Sequence, residues 1–222
     1  MPDKFSKLVD IAKSQYQSSA HDWSHILRVK ENAERLSSAE GADLAIVLPA
    51  VVLHDLSRVG GNEKIHSLNT NFAARILKQA GYTTGECSAI IQCIRAHSVE
   101  GKQKPHSLDA KVLFDADKLD SYGFIGVARF FALCGENRVD LNEGAKRAVA
   151  KITSIDKRGG FYTKTGKKLG FGKAKQAFLF YYFLCKELGL EKEKSQLEKI
   201  LTKKVGKIKA LLLLKTAGAT LH

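Results

Sequence analysis

The residues in this sequence best suited to chemistry are its histidines and one short run of aspartates. His21 and His25 stand four apart, so any helix that holds both presents them on one face. His54 and Asp55 are adjacent at the polar end of an apolar run, VVLHDLSR. His66 and His97 follow, and FDADKLDS supplies Asp115, Asp117 and Asp120. Of the seven histidines, only His106 and His222 stand apart from other groups able to bind a metal. A carboxylate at the end of a buried apolar helix is costly unless something compensates it. A helix cap, a buried hydrogen bond or a cation would do so. Imidazole nitrogen and carboxylate oxygen together suit Mn, Fe, Co, Ni or Zn, with positions left open for water. Water held there becomes a nucleophile near neutral pH. The set that would meet at such an ion is His25, His54, Asp55 and Asp117. A plainer arrangement stays open on spacing alone: Asp55 caps the next turn, and Asp117 pairs with Arg58 or Lys118.

The scaffold that must position these groups reads as helical. Long β-branched runs of period two are missing, and helical period dominates. The pattern predicts a helix near 3–17 and a second from Asp22 or Ser24 to about 38, with Ile26, Val29, Ala33 and Leu36 as its apolar stripe. A third, at 42–57, is apolar on most sides and therefore central; Pro49 inside it predicts a kink or a restart. The next spans 65–80 and stops at Gly81. Thr83 and Glu86 form a capping-box pattern that opens a helix reaching His97. Further helices are expected at 108–121, 123–133, 141–156, 173–189 and 192–216. The fold class is all-α: a single-domain helical bundle over 1–222 with about nine or ten helices, a core at 18–190 and a basic terminal helix at 192–216.

Composition fits a globular chain: 222 residues, 44% hydrophobic and 27% charged. The N-terminal stretch lacks the apolar centre of a signal peptide, and AIVLPAVVL and AFLFYYFLC are too short to span a membrane. Four cysteines without a CxxC pair suggest reduced thiols in a cytoplasmic protein. The net charge of +13 is unevenly placed: residues 142–222 hold 19 Lys+Arg against 6 Asp+Glu, whereas 1–141 are balanced at 17 each. Such a half either steers anions or is a solvated lysine-rich surface. Within it, KRGGFYTKTGKKLGFG suggests a phosphate loop but fails as one: its glycines are six apart, and Lys stands where Ser or Thr should hold magnesium. The expectation for 157–175 is a flexible basic loop between helices, with a lid over substrate phosphates as the alternative.

HDWSHILRV, VVLHDLSR and VLFDADKLDS, in that order, resemble the HD-domain superfamily of metal-dependent phosphohydrolases, whose signature is H…HD…D. DADKLDSYGFIGVAR is similar to the corresponding block of the small stand-alone HD hydrolases, and the likeness covers about residues 18–190. The resemblance implies one divalent ion (Mn, Fe, Co, Ni, Mg or Zn) held by His25, His54, Asp55 and Asp117, with His21 beside the site. It places His66 and His97 where a second metal or a phosphate contact would fall. Arg28, Arg58, Lys64, Arg95 and Lys118 lie near the ligand segments and are candidates to neutralise phosphate oxygens. The implied activity is attack of metal-activated water on phosphorus in a nucleotide or related phosphate ester or anhydride. The family also suggests a homodimer. Two departures stand out. Many relatives carry a Glu soon after His-Asp, whereas here the nearest acid is Glu63; and Lys118 replaces a usual Arg, losing the bidentate fork. Two other functions share these features. One is nucleic-acid binding or regulation through the basic half, with Phe161, Tyr162 and Phe171 among its lysines. The other is a cyclic-nucleotide phosphodiesterase with the same ligand set.

Overall fold

Helix-forming periodicity, interrupted by caps and glycines, produces eleven helices and no strand among the described residues, which are 3–16, 22–56, 66–97, 103–157 and 160–219 of this computed structural model. In order they are α1 (Lys4–Lys13), α2 (Trp23–Glu40), α3 (Leu44–Leu53), α4 (His66–Ala80), α5 (Thr84–His97), α6 (Leu108–Ser121), α7 (Gly123–Glu136), α8 (Leu141–Lys157), α9 (Lys164–Glu187), α10 (Glu191–Val205) and α11 (Lys207–Ala219). The all-α expectation is met. The count is slightly above the expected nine or ten, because Gly206, at φ 82°, divides the terminal helix into α10 and α11. No described helix is long and apolar enough to cross a membrane.

The chain forms two compact units. The first comprises residues 1–121 with 161–170. Its centre is α3, which buries Val47, Pro49, Ala50, Val51, Val52 and Leu53. The helix continues through Pro49. Around it, α2 packs on α3 and α6, and α5 packs on α3, α4 and α6. The helix starts follow the sequence chemistry. Asp22 caps α2 by accepting from the His25 amide at 2.8 Å, and Asp43 caps α3 through the Ala45 amide at 2.8 Å. Tyr16 donates its hydroxyl to the Val52 carbonyl at 2.7 Å, tying the segment after α1 to α3.

The capping box before α5 is reciprocal: the Thr83 amide donates to Glu86 at 2.9 Å, and the Glu86 amide to Thr83 Oγ1 at 3.3 Å. Thr83→Ala is expected to lower stability by about 1 kcal/mol in urea titration. Lys4 also donates to Glu86, and this bond, followed by the Thr83 bonds, pulls the Glu86 carboxyl from 4.5 down to about 2. The folded value lies below the unfolded one, so this support is complete above about pH 4.5 and fades as pH falls toward 2. Glu86→Gln should flatten that acid limb of the stability curve.

The 157–175 segment departs from expectation. It is not a loop throughout, because α9 begins at Lys164 and runs through Gly166, Gly170 and Gly172. Asp115 of α6 builds that start: its carboxylate accepts from the Tyr162 amide (2.8 Å), the Thr163 amide (2.7 Å) and Thr163 Oγ1 (2.7 Å). Thr163 Oγ1 in turn accepts from the Gly166 amide at 2.9 Å, and Glu40 accepts from the Thr165 amide at 2.6 Å. Two of the glycines are needed for close packing. A Cβ on Gly166 would lie 2.2 Å from Asp115 Oδ2, and one on Gly170 would lie 2.1 Å from the Phe161 ring.

The second unit comprises residues 122–160 and 171–222. In it α8 packs on α7 and α10, and α10 on α11. Phe178, Tyr181 and Cys185 from the AFLFYYFLC run are buried there, with Phe130, Phe131 and Phe180 meeting Tyr181 ring to ring. Lys204 pairs with Asp156 at 2.9 Å. All four cysteines are reduced and buried, as expected.

Candidate metal centre

Three helices of the first unit bring their functional side chains to one point. His25 sits in the first turn of α2, just inside the Asp22 cap. His54 is the C-terminal cap residue of α3, and Asp55 follows it. Asp117 comes from α6. All four are buried. His25 Nε2 lies 3.3 Å from Asp55 Oδ2 and 3.7 Å from Asp117 Oδ1. His54 Nε2 lies 3.5 and 3.9 Å from the same two oxygens. The donor atoms of His25, His54 and Asp55 fall within 4.8 Å of one another. Ligands ~2.1 Å from a common ion form polyhedron edges of about 3.0–3.4 Å, so this spacing needs only a small contraction.

The ring orientations test whether a cation fits. His54 Nδ1 lies 2.7 Å from the Val51 carbonyl, which can only accept, so Nδ1 carries the proton. Burial lowers the His54 pKa, outweighing Asp55 and Asp117, which raise it; the ring is therefore neutral near pH 7. Its Nε2 lone pair then faces two carboxylate oxygens. His25 is set the same way by a carboxylate, with Nδ1 2.7 Å from Asp120 Oδ2. Lone pairs aimed at carboxylates repel unless a cation lies between them. The donor set therefore fits a divalent ion.

His97 extends the cluster. It ends α5, its Nδ1 donates to the Ile94 carbonyl, and its ring stands 5.1 Å from the His54 ring, nearly perpendicular. Its buried Nε2 has no hydrogen-bond partner among the described residues. Burial first, then His54, push its pKa down to about 3, so it stays neutral and offers a lone pair. Asp117 shows the opposite balance. Burial would raise it, but Lys118, His54 and His25 override that and hold it well below the ordinary carboxylate value. Lys118 is buried, donates to Asp117 Oδ2 and lies over the Phe114 ring at 5.2 Å. Half of the plainer arrangement is thus present as well: Asp117 gives one oxygen to Lys118 and turns the other to the histidines.

The remaining candidates are dispersed. Arg28 turns to Asp120 (Nε to Oδ1, 2.7 Å) and to Ser24 Oγ (3.0 Å). Arg95 is exposed on α5. His66 opens α4, but its side chain is outside the described residues, as are His21, Arg58, Glu63 and Lys64 altogether. Two residues that sequence reasoning grouped with Asp117 but gave no role, Asp115 and Asp120, do separate work. Asp115 caps α9, and Asp120 orients His25. Asp120 lies three residues after Asp117, hence on the same face of α6, and that spacing was the available signal.

Residues 22–122 match the family model HD domain. Over that stretch, a little under half of its length, the chain is similar to HD domains. The matched stretch spans α2–α6 and contains His25, His54, Asp55, His97, Asp117 and Asp120. The Bacillus subtilis protein YpgQ is 33% identical over 123 residues, which are 54% of this chain and 60% of YpgQ, so the aligned stretch spans less than two thirds of that relative. The crystal structure of YpgQ in complex with ADP superposes with a TM-score of 0.66 at 27% identity, over 82% of this chain and 97% of that one. A Lactobacillus plantarum protein shares the fold at a TM-score of 0.72 and 23% identity, over 84% and 97% of the two chains. A predicted HD superfamily hydrolase from an uncultured Thermotogales bacterium superposes at 0.51 and 26% identity, over 84% and 90%.

Proposed function

We propose that this chain is a metal-dependent phosphohydrolase whose substrate is a nucleotide or a related phosphate ester or anhydride. The observation that carries the reading is the convergence of His25 and His54 Nε2 on Asp55 Oδ2 and Asp117 Oδ1 within the stretch similar to HD domains. These four residues would hold the ion. When bound, a divalent cation there supplies activated water and polarises a phosphoryl oxygen. The protein's part is to fix the ligands and exclude water. Val51 O and Asp120 hold the two rings, and α3 leads into the His-Asp pair through a run of buried Val and Leu side chains. Lys118 fixes one Asp117 oxygen. His97 Nε2 is available to contact a second ion or a phosphate, with His66 a further candidate for that role and Glu63 a candidate for proton transfer. YpgQ crystallised with ADP supports a nucleotide as substrate class.

The test is a purified protein assayed for bound metal, then screened with Mn, Mg, Co, Ni, Fe and Zn against nucleoside mono-, di- and triphosphates and cyclic nucleotides. Metal-dependent release of phosphate or pyrophosphate from linear nucleotides is expected. Turnover confined to cyclic substrates would make it a phosphodiesterase, and no turnover with any metal would overturn the reading.

Nucleic-acid binding has less support. Of the three aromatics among the lysines, Phe161 packs on the first unit's core and Tyr162 stacks edge-on against Phe114 at 4.9 Å. Only Phe171 is exposed to stack on a base.

A further inference from the structure

We infer that Asp120 is the positioning residue that makes His25 a metal ligand. The inference rests on the reading of His25, His54, Asp55 and Asp117 as the ligand set. The three rings of the cluster are oriented in two different ways. His54 and His97 each donate Nδ1–H to a carbonyl three residues back in their own helix, Val51 and Ile94. Those acceptors are main chain and come with the helix. His25 stands in the first turn of α2, and its Nδ1 instead meets a side chain from another helix, Asp120 Oδ2 at 2.7 Å.

A carboxylate accepts only, so it dictates that the proton sits on Nδ1 and the lone pair on Nε2. That choice is not automatic at this ring, because Asp55 Oδ2 lies 3.3 Å from Nε2 and would equally accept a proton there. With the proton on Nε2, the position meant for a cation is filled. Asp120 decides the competition because it is closer, buried and held rigid. Arg28 locks it, with Nε 2.7 Å from Oδ1 and a terminal nitrogen 3.2 Å from Oδ2, while the other terminal nitrogen bonds Ser24 Oγ at 3.0 Å. All three guanidinium nitrogens thus face protein groups, so Arg28 supports Asp120 rather than reaching for substrate phosphates. Outer carboxylates of this kind are worth about 10–100-fold in metal affinity where they orient a ligand histidine.

The experiment compares wild type with Asp120→Asn. The amide is nearly isosteric but can donate as well as accept, so it no longer forbids the proton on Nε2. Mn²⁺ and Co²⁺ affinities are measured by calorimetry alongside the thermal melt. The expected result is about 10–100-fold weaker binding in the variant, from a protein that still melts cooperatively. Equal affinities, or a lowered melting temperature with unchanged affinity, overturn the role of Asp120 and leave the metal site standing. Failure of wild type to bind either ion overturns both readings. A second measurement needs no variant: nitrogen–proton correlation of the histidine rings in Zn²⁺-loaded wild type. It should show His25 protonated at Nδ1 and metal-shifted at Nε2. The reverse assignment sinks the inference.

Discussion

Asp55→Asn is expected to abolish phosphohydrolase turnover, with kcat/KM falling at least about a thousandfold, the upper range for removing one group that stabilises developing charge. The substitution keeps the shape of a buried side chain and removes only charge and acceptor capacity. Of the two carboxylates facing the Nε2 atoms of His25 and His54, Asp55 is the nearer, with Oδ2 at 3.3 and 3.5 Å. An amide at that place can donate a hydrogen bond to His25 or His54 Nε2 and so occupy a lone pair meant for an ion. The loss should therefore appear twice, as missing metal by elemental analysis and as missing phosphate release across the nucleotide panel. Full turnover in this variant, or in wild type under strong chelation, would remove metal-assisted hydrolysis as an account of the site.

Gly166→Ala is expected to destabilise the fold by about 3 kcal/mol or more in denaturant titration, against a helix propensity that by itself favours alanine by about 1 kcal/mol. The steric effect wins because the neighbours cannot retreat. The new Cβ would stand 2.2 Å from Asp115 Oδ2 and 2.7 Å from Thr163 Oγ1. Those two atoms hold the Thr163 and Gly166 amides, and displacing them leaves buried donors without partners, at about 1–3 kcal/mol each. Gly172→Ala on the same helix is the control. Nothing lies within 4 Å of its Cβ position, so it should be neutral or stabilising by up to about 1 kcal/mol. A Gly166 variant as stable as wild type would show that Asp115 is not the anchor of α9.

Much of the frame was legible because it is written in local signals. The start of α2 after Asp22, the Thr83–Glu86 box and the apolar run into His54-Asp55 all appear in the structure where the pattern puts them. The glycines of α9 misled, because glycine marks both turns and close approach, and only the partner across the gap distinguishes them. At Gly166 that partner is Asp115, some fifty residues earlier in the sequence. The roles of Asp115 and Asp120 were hidden for a related reason. FDADKLDS shows three aspartates in one helix, but which meets a histidine, which caps a distant helix and which faces the cluster depends on what packs on each side of α6.

The placement of two of these histidines at helix ends has a further electrical consequence. His54 caps the C-terminal end of α3, and His97 closes α5. Carbonyl dipoles make such ends negative, and Asp55 and Asp117 add two charges of the same sign. Without its ion such a site would repel an incoming phosphate and attract a cation. Loading should be ordered, with the ion first and the anionic substrate second, so that nucleotide titrated into the stripped protein finds little to hold it.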